Sequence, residues 1–377
     1  LLYWLLYRQL YPFFHPFRIF HYVTFRTVFA SLTALLITLF IGPYVIGKLR
    51  EFQIGQYVRD DGPQSHLKKS GTPTMGGLLI VIAILLPTLL WADLTDPLVW
   101  IVMFATLAFG AVGFADDYIK VVKRRSLGLT PRAKLFGQAF AAVLVASALI
   151  VLQQFRMFST ALNVPFIKSW RPDLMLHWFD HVPHLALLAF VPFVAWVVFV
   201  LLGSSNAVNL TDGLDGLAIG CTIIAAGALT VLTYVSGHVV YADYLELQRM
   251  PLASELTIFC GSMVGASIGF LWYNAHPAEI FMGDVGSLAL GGAIGTVAIA
   301  IRQELLLPFI GGIFIMEAIS VILQVGSYKL RKKRIFKMAP IHHHFEQLGW
   351  AESKVIARFW IGALVFALLA LTTLKLR

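Results

Sequence analysis

The amino-acid sequence predicts an all-α, polytopic membrane protein of about ten transmembrane helices, on three observations. Of 377 residues, 58% are hydrophobic and only 13% are charged, and mean hydropathy is +0.78, far too apolar for a surface that faces water. The apolar residues form continuous runs long enough to cross a bilayer, not the alternation of barrel strands. The charges collect in short segments between those runs. No tandem repeat or low-complexity linker divides the chain, so residues 1–377 are expected to form one integral membrane domain.

The elements follow in order. The opening LLYWLLYRQLYPFFHPF has no small-residue cleavage site, so it reads as an interfacial aromatic segment and not as a signal peptide. A start on Leu1 without Met is expected of a trimmed or processed chain. Spans are expected at 22–46, 74–92, 97–115, 132–153, 185–203, 214–233, 254–273, 285–302, 305–328 and 356–375. The eighth of these is short and glycine-rich. Segment 154–184 is polar, with prolines and aromatics, and is expected to form a small cap or hairpin on the periplasmic side.

The basic residues orient the spans. Loop 47–73 carries Lys48, Arg50, Arg59, Lys68 and Lys69. Loop 116–131 with the start of the next span carries Lys120, Lys123, Arg124, Arg125, Arg132 and Lys134. Loop 329–355 carries Lys329, Arg331, Lys332, Lys333, Arg334, Lys337 and Lys354. On the opposite side, 93–96 has no Lys or Arg and 234–253 has only Arg249. The positive-inside rule then puts the basic loops in the cytoplasm and both termini outside. Topology and anionic lipid headgroups account for much of the net charge of +9, and no nucleic-acid partner is required. Cys221 and Cys260 lie inside apolar runs without metal-ligand spacing and read as small core residues.

The unusual polar stretches share the cytoplasmic side. GFADDYIK (113–120) ends the third span on Asp116 and Asp117; SSNAVNLTDGLDGLA (204–218) joins spans five and six. WYNAHPAEIFMGDVGS (272–287) joins spans seven and eight, and MAPIHHHFEQLGW (338–350) lies in the last cytoplasmic loop. Asp116, Asp117, Asp212, Asp215 and Asp284 are hard oxygen donors suited to Mg²⁺, which keeps open positions for substrate phosphates. Lys68, Lys69, Lys134 and the histidines supply donors to phosphate oxygens. The set resembles a phosphate-handling site more than a proton wire.

Each stretch also has a plainer reading. Two acids at a span end can be a solvated helix terminus, although carboxylates there oppose the helix dipole, which argues for a task. TDGLDG can be turn and capping chemistry; on one helical turn, Asp212 and Asp215 would share a face. His342, His343 and His344 do not read as a zinc site, since adjacent side chains diverge. His276 reads as a turn or packing residue, and KLRKKR (329–334) as a juxtamembrane anchor.

GTPTMGG (71–77), FADDY (114–118), NLTDGLDGLA (209–218), FMGDVGS (281–287) and PIHHHFE (340–346), in that order, resemble the phospho-N-acetylmuramoyl-pentapeptide-transferase family. The motifs span residues 71–346, and the expected ten-span layout extends the likeness over nearly the whole chain. The resemblance implies a transferase that moves phospho-N-acetylmuramoyl-pentapeptide from its UDP carrier to undecaprenyl phosphate, giving lipid I and UMP in peptidoglycan synthesis. It further implies a Mg²⁺ cofactor, a homodimer among membrane lipids in the bacterial cytoplasmic (inner) membrane, and a catalytic cleft facing the cytoplasm. Residue by residue, it implies catalytic roles for Asp116, Asp117 and Asp284, with Asp284 as metal ligand and Asp116 acting on the lipid phosphate. Lys69, Lys134, Asn209, Asp212, Asp215, Asn274, Phe281, Gln324, His342, His343 and His344 are implied to line the substrate cleft. A sister polyprenyl-phosphate N-acetylglucosamine-1-phosphate transferase would share the acids, but PIHHHFEQLGW favours the first family. A lipid or nucleotide-sugar transporter would place its ionisable groups near the midplane, commonly in repeated halves. A scaffold that binds nucleotide sugars without turnover differs only in an activity assay.

Overall fold

Proline and capping residues start several of the long helices. Asp96 accepts from the Leu98 N–H at 2.8 Å ahead of Pro97, and Thr130 accepts from the Ala133 N–H at 3.3 Å ahead of Pro131. The computed structural model describes residues 1–52, 71–123, 127–167, 170–176 and 188–375. Its long helices are α1 (Val23–Glu51), α2 (Gly77–Trp91), α3 (Pro97–Val122), α4 (Pro131–Gln154) and α5 (Val191–Thr211), then α6 (Leu217–Gly237), α7 (Ala253–Asn274), α8 (Gly283–Ala300), α9 (Gly312–Arg331) and α10 (Glu352–Thr372). Among the described residues, nine of these are long and apolar enough to cross a bilayer; α2, at 15 residues, is the shorter apolar one.

α8 is the centre. Its sequence GDVGSLALGGAIGTVAIA is mostly small, and all but its first two residues are buried among α2, α3, α5 and α6. Small residues let backbones touch where lipid offers no hydrophobic drive. Gly77 of α2 and Gly286 of α8 meet backbone to backbone, with no room for a side-chain carbon on Gly77. On α7, Gly261, Gly265 and Gly269 recur every four residues against Thr27, Ser31, Leu35 and Thr38 of α1.

The structure moves several sequence-based boundaries. α3 continues past residue 115 to Val122, so Asp116 and Asp117 lie inside a helix and not at its end. Lys120, at i+4 and i+3 from them, supplies the charge that lets the helix continue. α5 runs through the polar residues expected in a loop, as far as Thr211. Ser205 and Thr211 donate back to the carbonyls of Leu201 (2.7 Å) and Ala207 (2.8 Å), so their hydroxyls are satisfied within the helix. The ninth expected span begins at Gly312; residues Glu304–Leu306 and Leu307–Ile310 form two separate short turns before it.

At the end of the bundle opposite Asp116, buried charges are closed on themselves. Arg26 makes two 2.7 Å bonds to Glu255, donates to the Trp91 carbonyl at 3.1 Å, and lies 4.0 Å from the Tyr3 ring centroid. Arg302 and Glu304, both 0% exposed, pair at 2.9 Å. Arg302 also donates to the carbonyls of Thr160 (2.6 Å) and Ala161 (2.8 Å). Within the expected cap segment, Ala161 forms an isolated antiparallel bridge with Asp173.

Candidate active site

The last turns of α3 and the first turn of α8 build the site together. Gly113 of α3 packs on the Asp284 backbone with no space for a side-chain carbon, which brings the two helices into contact there. Gly283, at φ +71, turns the chain into α8 in a conformation that favours glycine, and Asp284 follows in the first helical turn. A carboxylate at that position is favoured by the positive end of the helix dipole. Asp117 completes the join by accepting from the Val285 N–H at 3.2 Å.

Three carboxylates converge on one ammonium. Lys120 Nζ lies 2.6 Å from Asp116, 3.1 Å from Asp117 and 3.1 Å from Asp284. Lys134 of α4 reaches Asp284 at 2.7 Å. Asn209 of α5 donates to Asp284 and to the Ser287 hydroxyl, both at 2.8 Å. Asp116 accepts from the Leu129 N–H at 2.8 Å and so fixes the start of the connection into α4. Asp116 and Asp117 are buried, whereas Lys120 is 30% and Asp284 16% exposed, so the cluster opens to one side.

The donors suit a hard divalent cation: ligand oxygens of Asp116, Asp117 and Asp284 lie within 4.8 Å of one another. Lys120 occupies the point where they converge, which marks it as a place for positive charge. Asp212, the C-cap residue of α5, faces the same cluster. Burial first, then the carboxylates of Asp284 and Asp117, pushes its carboxyl up to about 8.

The remaining expected residues divide by what they touch. Asp215 is buried; a tight turn ending on Gly216, at φ +78, replaces the helical turn considered from the sequence. Asp215 accepts from the Ala278 N–H at 3.0 Å and lies 3.2 Å from His276, while its own N–H donates to Glu352 at 3.1 Å. Asp215, His276 and Glu352 thus form a second convergence of ligand atoms, so His276 does more than make a turn. Asn274 is buried, accepting from the Gly216 N–H (3.1 Å) and donating to the Ile280 carbonyl (2.8 Å). Phe281 is half-buried, and its backbone pairs with Pro73 and Gly76 of the GTPTMGG segment. Gln324 holds the backbone of Ile335 and Phe336 through three bonds of 2.9–3.0 Å.

The three histidines diverge. His342 is 0% exposed against Glu317 at 3.1 Å, His343 lies 2.7 Å from Glu346, and His344 accepts from the Lys337 N–H at 3.1 Å. Lys69 lies outside the described residues. Sequence reading missed Lys120 as the shared counter-ion, although its i+3 and i+4 spacing from two aspartates was a usable signal. It also missed Glu317, an acid inside an expected span. Ser287, on Asn209, left no signal among ordinary small helix residues.

With this geometry in view, comparison with known proteins is informative. Residues 99–302 match the model described as glycosyl transferase family 4, and residues 69–81 match phospho-N-acetylmuramoyl-pentapeptide-transferase signature 1. Curated relatives named phospho-N-acetylmuramoyl-pentapeptide-transferase include those of Acidobacterium capsulatum, 77% identical, and Koribacter versatilis, 70% identical. The relative from Solibacter usitatus is 62% identical; each of the three matches covers 100% of both chains.

Proposed function

The chain belongs to the phospho-N-acetylmuramoyl-pentapeptide-transferase family, and from that premise we propose how its residues carry out the reaction. The protein transfers phospho-N-acetylmuramoyl-pentapeptide from the UDP-linked donor to undecaprenyl phosphate, releasing UMP and forming lipid I in peptidoglycan synthesis. The observation that carries this reading is the convergence of Asp116, Asp117 and Asp284 on Lys120, with Lys134 beside them. Joining two phosphate-bearing anions requires their repulsion to be screened, and phosphoryl transfer is mostly positioning and charge stabilisation.

Asp284, Asp116 and Asp117 would hold Mg²⁺, with Asp284 as the principal ligand. The bound ion would neutralise charge on the pyrophosphate oxygens. Lys120 and Lys134 donate to phosphate oxygens once substrate enters. Asn209 keeps Asp284 oriented between them. Asp116 orients the lipid phosphate; much of a phosphate monoester is already ionised at pH 7, so obligatory proton removal is not demanded. Asp212, at the turn after α5, faces the nucleotide cleft beside the three acids. Ten spans with both termini periplasmic put this cleft at the cytoplasmic surface of the inner membrane. There a soluble donor and a lipid headgroup can meet, and the active form is a homodimer.

The test is UMP release by the purified protein in detergent with undecaprenyl phosphate. UDP-N-acetylmuramoyl-pentapeptide and UDP-N-acetylglucosamine are run in parallel, each with Mg²⁺ and with chelator. Chelator-sensitive UMP from the pentapeptide donor alone is expected. Release from the other donor would move the chain to the sister activity, and release unaffected by chelator would remove the Mg²⁺ assignment.

A further inference from the structure

Glu317 is the only acid in α9, and it lies within a segment whose apolar sequence was expected to span. A carboxylate in such a setting is costly and needs a reason. Its side chain and that of His342 are both 0% exposed, with His342 Nδ1 3.1 Å from a Glu317 oxygen. Among the described residues, none of the four polar side-chain atoms of the pair makes a hydrogen bond, to each other or to any other group, so the two face each other in close charge contact with no other partner. The opposite edge of the His342 ring presses on Gly213, where a side-chain carbon would fall on Nε2. The ring also lies 4.1 Å, centroid to centroid, from His343. Thus Glu317 on one side and the Asp212–Gly213 turn on the other clamp a single imidazole.

We propose that Glu317 is a positioning residue: through His342 it sets the Asp212–Gly213 turn and the neighbouring His343 for the uridine-nucleotide donor. This rests on the functional reading above. A carboxylate 3.1 Å from Nδ1 favours electrostatically the ring form that carries its proton on that nitrogen, and the packing of the opposite ring edge on Gly213 holds the ring in place. His342 is therefore an internal strut and does not itself touch substrate. Gly213 is required because the ring occupies the space of a side chain. A pair kept only for stability would predict something else, since replacing a buried ionic pair with apolar groups is commonly neutral or stabilising.

The test uses the full chain in detergent, with Glu317→Leu, Glu317→Gln, His342→Ala and the double variant Glu317→Leu/His342→Ala. Glu317→Leu is expected to retain its thermal midpoint while kcat/KM for the nucleotide donor falls about 30-fold, the scale of a misaligned site. The KM for undecaprenyl phosphate is expected to stay within about twofold, because that substrate is not held by the turn. Glu317→Gln keeps an oxygen acceptor for Nδ1–H, so it is expected to recover most of the loss, to within about fivefold of wild type. In the His342→Ala background, Glu317→Leu is expected to add less than about twofold. Unchanged donor kinetics in Glu317→Leu would overturn the proposal, and so would losses that multiply in the double variant. Should Glu317→Leu not fold, donor kinetics of Glu317→Gln identical to wild type would overturn it. Should wild type release no UMP, the functional reading fails separately. UMP binding then decides the clamp: Glu317→Leu or Glu317→Gln weaker by about tenfold or threefold supports it, and unchanged binding overturns it.

Discussion

The two ends of the bundle handle buried charge in opposite ways. At one end, Arg26 is matched to Glu255 and Arg302 to Glu304, and both guanidiniums also donate to backbone carbonyls. Those pairs close on themselves. At the other end, three carboxylates share Lys120 and Lys134, the count of charges is unequal, and the cluster opens to one side. A closed pair can only hold a fold together, whereas an open, unequal cluster has valence left for something that arrives. Burial of charge by itself therefore does not mark the site; incomplete matching does.

Substitutions at each end break this comparison in different observables. Asp284→Ala is expected to reduce UMP release by at least about 10³-fold with the thermal midpoint nearly unchanged, because the lost group serves developing charge. Glu255→Ala strands the buried Arg26 and is expected to cost about 3 kcal/mol in unfolding free energy, with normal turnover by the folded fraction. Similar activity losses at both sites would erase the distinction. Lys134→Ala is expected to lower kcat/KM about 10²-fold, less than Asp284→Ala because Lys120 remains beside the acids. The last effect is a slope with pH and not a fixed loss: it lies at Asp96, whose carboxyl is pushed up to about 7 by burial, with Glu255 and Asp93 adding to it against the Leu98 N–H. The folded protein then holds that proton more tightly than the unfolded chain. Stability is expected to fall as pH rises from about 4 to 7, by at most about 1.4 kcal/mol per unit. Asp96→Asn should flatten that slope, as read from unfolding at pH 5 and pH 8.

Much of this organisation was legible in the sequence because bilayer crossing leaves a long, uniform apolar record. The positions of the runs anticipated the long helices, nine of which, among the described residues, are long and apolar enough to span, while α2, at 15 residues, is shorter than the span expected there. Boundaries were poorly legible where polar residues are satisfied locally. Asp116 and Asp117 read as an end because their partner, Lys120, was counted as a loop charge. Ser205 and Thr211 read as a loop because hydroxyls bonding back into a helix look like turn formers. The acids at 116, 117 and 284 meet as expected, but their meeting depends on Gly113, and an apolar run gives a glycine contact no distinctive signal. His342 shows the limit most clearly: its motif resembles a ligand-lining one, yet its ring is packed inside against Glu317.

α8 carries Asp284 of the open cluster in its first turn and ends two residues before Arg302 in a closed pair. Gly286, Gly291, Gly292 and Gly295 along it have no room for a side-chain carbon. Mechanically it is a column of about 27 Å, at 1.5 Å per residue, seated at both ends. A column of fixed length cannot stretch to follow the surrounding lipid. When bilayer thickness changes, such a bundle answers by tilting as a whole or by deforming the lipid around it, and the spacing of its two ends is conserved.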